Sequence, residues 1–192
     1  MTTMPFGFIL PVFLALWLVI GDRKTALAAW RLKPLSALAL ILGILILSYI
    51  NIAVGPIFFN LGALFLSAYC LWLYLRLRGV DQARIAAATL LVAALIFVAR
   101  NGLLWQVDQF FAYSEAAAML LALLFAAAAG GYRQSLIAAS LGAGAAFFAT
   151  MLAVGSSSWL PYLNLGILLS GGSWLLLWLS HYFRRRQLTN ER

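Results

Sequence analysis

Two asparagines are the most distinctive polar residues within the apolar stretches of this chain. Asn60 and Asn164 each begin an Asn-Leu-Gly motif, and each motif leads into a leucine- and tryptophan-rich stretch that ends in basic residues. A carboxamide offers N–H donors and an acceptor oxygen, so a facing pair could bind an uncharged polar ligand. The simpler alternative is that both amides hydrogen-bond across helices and hold a bundle together. We predict ligand contacts at Asn60 and Asn164, with the packing role as the alternative.

Three charged residues form a second candidate site. Arg100, Asp108 and Glu115 lie in or beside the segment Arg100–Tyr113, whose apolar residues recur at helical spacing. We predict a short interfacial helix there, either as a plain connector or as a lid over an external vestibule in which Asp108 or Glu115 pairs with Arg100. The same three groups carry a further hypothesis, an enzyme at the outer face.

Other chemistry has little support. The chain has one cysteine and one histidine, Cys70 and His181, whereas metal sites require clustered His, Cys or carboxylate side chains. No Asp, Glu, Lys, Arg or His side chain lies in the middle of an apolar stretch, which argues against proton relays, ion pumps and voltage sensors. We therefore expect no metal, no cofactor and no catalytic residue.

The elements that must position these residues are membrane spans. Hydrophobic residues make up 65% of the 192-residue chain and charged residues 9%, far from the balance of a soluble domain. A helix needs roughly 20 residues to cross the hydrocarbon. We predict an all-α, polytopic membrane protein with seven transmembrane helices over Met4–Ile20, Pro34–Ile50, Ile57–Leu75, Ala83–Ala99, Ala112–Ala129, Ser135–Val154 and Pro161–Tyr182.

The basic residues orient these spans. Twelve of the thirteen Lys and Arg residues fall in alternate loops or in the C-terminal tail, and only Arg100 lies on the other side. Because basic residues translocate poorly, those loops are predicted to be cytoplasmic and the N-terminus external. The net charge of +8 then indicates contact with anionic lipids at the cytoplasmic face rather than with nucleic acid. The predicted location is the plasma membrane.

The chain also contains a predicted internal repeat. Ala53-Val54-Gly55 recurs as Ala153-Val154-Gly155, and Asn60-Leu61-Gly62 recurs as Asn164-Leu165-Gly166. The copies lie four spans apart and so share an orientation. We predict a single membrane domain with a 3+1+3 parallel repeat, in which residues 4–82 form one three-helix unit, 83–111 a linker helix with the interfacial segment, 112–183 the second unit and 184–192 a basic tail.

This arrangement resembles the SWEET sugar transporters in architecture. That family has three spans, a linker span and three more, with an external N-terminus, and an asparagine from the third span faces one from the seventh in the sugar site. The resemblance implies that Asn60 and Asn164 occupy comparable spans and that a substrate site lies between the repeats.

The leading functional hypothesis is therefore transport or binding of a small neutral polar solute. The alternative is a non-catalytic scaffold or partner subunit of a membrane complex. Small residues favour close helix approach in either case. They are concentrated at Ala126–Ala129, Gly130, Gly131, Ala138, Ala139, Gly142, Gly144 and Ala145. Their spacing does not separate packing within the bundle from a homodimer face or a face for another membrane protein.

Overall fold

The computed structural model describes residues 34–101, 114–155 and 157–190, which form a bundle of helices with a small sheet at one end. The predicted first span and Asp108 lie outside these ranges. The described elements, in chain order, are α1 (Pro34–Leu47), β1 (Asn51–Val54), β2 (Ile57–Asn60), α2 (Leu61–Leu75), α3 (Val80–Arg100), α4 (Ser114–Ala128), α5 (Tyr132–Val154), β3 (Ser157–Ser158) and α6 (Trp159–Asn190).

Each predicted span from the second to the seventh coincides with one helix, because a long apolar run bounded by charged or turn-forming residues favours a helix. The third span differs at its start. It was predicted from Ile57, but Ile57–Asn60 is a strand and the helix begins at Leu61. The extended backbone of Asn60 ends the strand, and its side chain caps the helix that follows.

The sheet is a departure from the all-α prediction. β1 and β2 form an antiparallel hairpin, and the turn between them uses a positive φ at Gly55. β2 also pairs in parallel with β3, so that Ile57 lies opposite Ser157. The β-branched and aromatic residues of the hairpin favour strand over helix. The sheet thereby links the segment before α2 to the segment before α6.

Among the described residues, three helices are long and apolar enough to cross a membrane: Val80–Arg100, Tyr132–Val154 and Pro161–Phe183. Two further apolar helices, Leu61–Leu75 and Ala117–Ala128, are shorter. The finer topology, with seven spans in two repeats, goes beyond these observations.

The bundle is organised around α5, which packs against α2, α3, α4 and α6. Its buried residues are mostly small, with Ala, Gly and Ser at seven of the positions from Ser135 to Gly144. Gly142 lies against α3, where an added Cβ would be 2.6 Å from Val92 Cγ1, and Gly166 brings α6 onto Ala143. The small residues of α5 thus pack within the bundle, because only they allow such close helix approach.

Large apolar side chains lie on the outside of the same bundle. Leu90 of α3 is 68% exposed, and Leu120 of α4 and Leu168 of α6 are also more than half exposed. A water-soluble protein rarely exposes so much continuous apolar surface. Small residues inside and leucines outside are the arrangement expected of helices that pack against each other in lipid.

The two ends of the bundle differ in chemistry. The end that carries the sheet and the last turns of α3 and α5 is here called the hairpin end. The opposite end, here called the arginine end, holds Arg76, Arg78, Arg84 and Arg133, with Asp81 as the one carboxylate among its described side chains.

Candidate functional site

Asn60 is fully buried at the hairpin end, where it joins three elements. Its Nδ2 donates to the Ser48 carbonyl oxygen at 2.7 Å and to Asn51 Oδ1 at 2.9 Å. Its Oδ1 accepts a hydrogen bond from the Ala63 amide at 3.0 Å. The side chain therefore ties the end of α1 and the start of β1 to the first turn of α2.

This geometry leaves Asn60 little capacity for a ligand. Both N–H donors are used, and the residue is 0% exposed. A ligand could reach its amide only if these bonds broke, which would leave the Ser48 carbonyl without a strong donor. The observed contacts are those of a helix cap and of the packing role that we kept as the alternative.

Asn164 occupies a different environment. It is half-buried in the second turn of α6, and its amide makes no hydrogen bond with any part of the chain that the structure describes. Asn60 precedes a helix, whereas Asn164 lies inside one. The two Asn-Leu-Gly motifs thus have different local structures, and the predicted ligand contact at Asn164 remains a prediction.

The structure describes only some of the charged candidate residues. Arg100 is the last residue of α3 and is exposed, with its guanidinium carbon 5.5 Å from the ring centroid of Tyr162. Glu115 belongs to the first turn of α4, but its side chain, like Asp108 as a whole, lies outside the described residues. The structure therefore places Arg100 on an aromatic ring, and the external vestibule and enzyme hypotheses remain predictions.

A hydrogen-bond network beside Arg100 was not predicted from the sequence. Thr150 Oγ1 accepts from Asn101 Nδ2 at 3.1 Å and from Tyr162 Oη at 2.8 Å, and it donates to the Ala146 carbonyl at 2.9 Å. Asn101 Nδ2 also donates to the Phe97 carbonyl at 2.8 Å. The network joins α3, α5 and α6 at the hairpin end. Asn101 lies 49 residues before Thr150, so the local sequence gives no indication that the two side chains meet.

Thr150→Val is expected to lower the free energy of unfolding by about 1–2 kcal/mol, because the isosteric methyl leaves the Asn101 and Tyr162 donors unpaired. Equilibrium unfolding in mixed detergent micelles measures the change. Thr150→Ser, which keeps the hydroxyl, should retain most of the stability. A double-mutant cycle with Tyr162→Phe should show coupling. Additive losses from the two substitutions would show that the 2.8 Å contact contributes nothing.

Aromatic rings close the interior next to this network. Phe147 is fully buried and stacks on Trp159 with 4.9 Å between ring centroids and 2° between planes. Phe59 of β2 meets both rings edge-on, and Tyr162 meets Phe147 edge-on at 5.8 Å. Such pairs stabilise a core beyond the area that they bury. The rings attach the sheet to α5 and α6.

Three of the other buried hydroxyls bond within their own helices. Ser135 Oγ donates to the Tyr132 carbonyl, Ser170 Oγ to the Gly166 carbonyl and Ser173 Oγ to the Ser170 carbonyl. Cys70 is buried, and across the described ranges no three His, Cys, Asp or Glu side chains could hold a metal ion. The polar groups of the described interior thus serve mainly to stabilise the bundle.

Comparison with known proteins finds no relative of this chain. No family model matches the chain, and no curated protein or solved structure shows significant similarity to it. The function must therefore be argued from the residues and their geometry.

Proposed function

We propose that this chain is a seven-span protein of the plasma membrane that acts as a non-catalytic partner subunit of a membrane complex. In this proposal the N-terminus is external, the arginine end is cytoplasmic, and the two units of the internal repeat enclose the linker helix. The apolar exterior and the three helices of spanning length support the membrane location.

The observation that carries the partner role is the contrast between the two asparagines. The Asn60 amide is fully engaged within the chain, whereas the half-buried Asn164 amide has no hydrogen bond among the described residues. A carboxamide that faces hydrocarbon without a partner is costly, because lipid tails offer no donor or acceptor. A polar side chain on a neighbouring transmembrane helix would satisfy Asn164 and stabilise the association.

The second candidate function is binding or transport of a small neutral solute, and the same Asn164 amide supports it. A solute hydroxyl could occupy the hydrogen-bonding sites that a partner helix would otherwise fill. The architectural resemblance to the SWEET transporters points the same way. In this case Asn164 would contact the ligand without Asn60, whose amide is bonded to Ser48, Asn51 and Ala63.

Asn164→Leu separates these two functions. We expect the wild-type protein, extracted from its native membrane in mild detergent, to migrate as a complex larger than the monomer. The variant should shift toward the monomer, because leucine cannot hydrogen-bond across helices. Ser180→Leu is the matched control, since Ser180 lies on the exposed part of α6 and bonds only to its own helix at the Leu177 carbonyl.

The opposite result would favour transport. If all three proteins have the size of a monomer, the partner role is excluded. A thermal-shift screen with sugars, amino acids and nucleosides then decides, because a ligand that binds the folded state raises its apparent stability. A shift in the wild type that disappears in Asn164→Leu and persists in Ser180→Leu would establish a solute site.

A further inference from the structure

The arginine end carries a rim of basic residues, Arg76, Arg78, Arg84 and Arg133, on or next to α2, α3 and α5. Arg133 Nη2 donates to the Leu73 carbonyl at 3.1 Å, which joins the start of α5 to the end of α2. Arg84 of α3 lies over Gly130, where an added Cβ would be 2.9 Å from its Nη1. The described side chains of this end include four arginines and one aspartate.

Two of these arginines are exposed and can donate to an anion. The Arg76 guanidinium carbon lies 4.0 Å from the ring centroid of Trp72, and both residues are exposed. A guanidinium stacked on an aromatic face keeps its N–H groups, which lie in the guanidinium plane, available for a phosphate. Arg84 is also exposed, and the absence of a side chain at Gly130 gives its guanidinium room.

The surface next to this rim is apolar. Leu71 is 48% exposed, Leu75 66% and Val80 75%, and all three lie at the end of α2 or the start of α3. A soluble polyanion would make no favourable contact with these apolar side chains. A molecule with an anionic head and hydrocarbon tails matches both surfaces, because arginines at a helix end meet the headgroup while leucines meet the acyl chains.

We propose that the arginine end binds an anionic phospholipid, with Arg76 and Arg84 as donors to its phosphate and Trp72 at the level of the headgroup. The site depends on the positions of these residues in the folded bundle rather than on the basic tail, residues 184–192. It requires the membrane location but neither of the two functions considered above.

Native mass spectrometry of the detergent-solubilised protein tests this site. The protein is titrated with dioleoyl phosphatidylglycerol and, separately, with dioleoyl phosphatidylcholine, which has the same acyl chains but no net charge. We expect preferential binding of phosphatidylglycerol. Because one basic residue near a lipid surface contributes a few-fold in affinity, Arg76→Gln and Arg84→Gln should each weaken this binding about fivefold, and the double variant about 25-fold.

The controls separate this site from general effects. Arg100→Gln removes one charge at the hairpin end and should leave the preference for phosphatidylglycerol unchanged. Arg76→Lys keeps the charge and should lose less affinity than Arg76→Gln. The ratio of the two lipid affinities within each variant cancels any general loss of folding. Equal affinities for the two lipids, or an equal loss in Arg100→Gln, would overturn the proposal. Tighter binding of glycerol 3-phosphate or of a short oligonucleotide than of the lipid would also overturn it.

Discussion

Gly62→Ala is expected to lower the free energy of unfolding by about 3 kcal/mol, because the new methyl would collide with backbone rather than with side chains. A Cβ at this position would lie 2.7 Å from the Ile44 carbonyl oxygen and 2.8 Å from the Ser48 amide nitrogen. Backbone at the end of α1 cannot move aside without breaking the Asn60–Ser48 hydrogen bond. Unfolding of the purified protein in mixed detergent micelles measures the loss.

Gly171→Ala is the matched control for this substitution. Gly171 is also helical, but an added Cβ there meets nothing within 4 Å. Alanine favours a helix over glycine by up to about 1 kcal/mol, so this variant should be as stable as the wild type or more stable. If the two variants lose the same stability, the close approach of α1 and α2 at Gly62 does not contribute.

Asn60→Ala is expected to lower the free energy of unfolding by about 2–3 kcal/mol, with no ligand involved. The helix cap alone contributes about 1 kcal/mol. The Ser48 carbonyl also loses the 2.7 Å hydrogen bond that it accepts from Asn60, in a region that water reaches poorly. The same micellar unfolding experiment, performed without added solutes, gives the value.

Two further variants assign this loss to its causes. Asn60→Ser keeps an oxygen that can cap the Ala63 amide, so it should recover part of the stability. Asn164→Ala should change the stability of the isolated chain by less than about 0.5 kcal/mol, because its amide has no hydrogen bond within the described residues. Equal losses from Asn60→Ala and Asn164→Ala would contradict the different roles that the structure gives the two asparagines.

The helices were largely predictable, and the physical reason is their apolar length. A run such as Ser135–Val154 is too long and too apolar for anything except a buried or membrane-spanning helix. The approximate bounds of α1 and of α3 to α5 follow from the positions of the charged and turn-forming residues, whereas α6 continues to Asn190, eight residues beyond the predicted end at Tyr182. Spanning length alone, however, does not establish the repeat or the number of crossings.

The hairpin could not be recognised in the same way. In Asn51–Asn60 the six apolar residues stand in two runs of three, so the alternation that normally reveals a strand is absent. The strands exist because β1 pairs with β2, and β2 with β3 from a segment about a hundred residues later. The pairing of β2 with β3 joins segments so distant in sequence that local composition cannot indicate it.

The candidate site shows the same limit at the level of single residues. Asn60 was identified as exceptional because it is polar in an apolar region, but its partners are the Ser48 carbonyl and the Ala63 amide, backbone groups that every residue possesses. The Asn101–Thr150–Tyr162 network depends on the register between α3, α5 and α6. Sequence reveals which residues need a partner, whereas the fold decides which partner each one receives.

The unequal helix lengths have a consequence for the surrounding lipid. At 1.5 Å per residue the 15 residues of α2 extend about 22 Å, whereas the 23 residues of α5 extend about 35 Å. In the seven-span arrangement that we propose, a bilayer core of about 30 Å meets a hydrophobic mismatch of opposite sign at the two helices. A short helix such as α2 or α4 can be accommodated by local thinning of the bilayer or by association with another protein. Such a protein should be sensitive to membrane thickness, so its assembly and its distribution between thin and thick membranes are coupled to the same short helices.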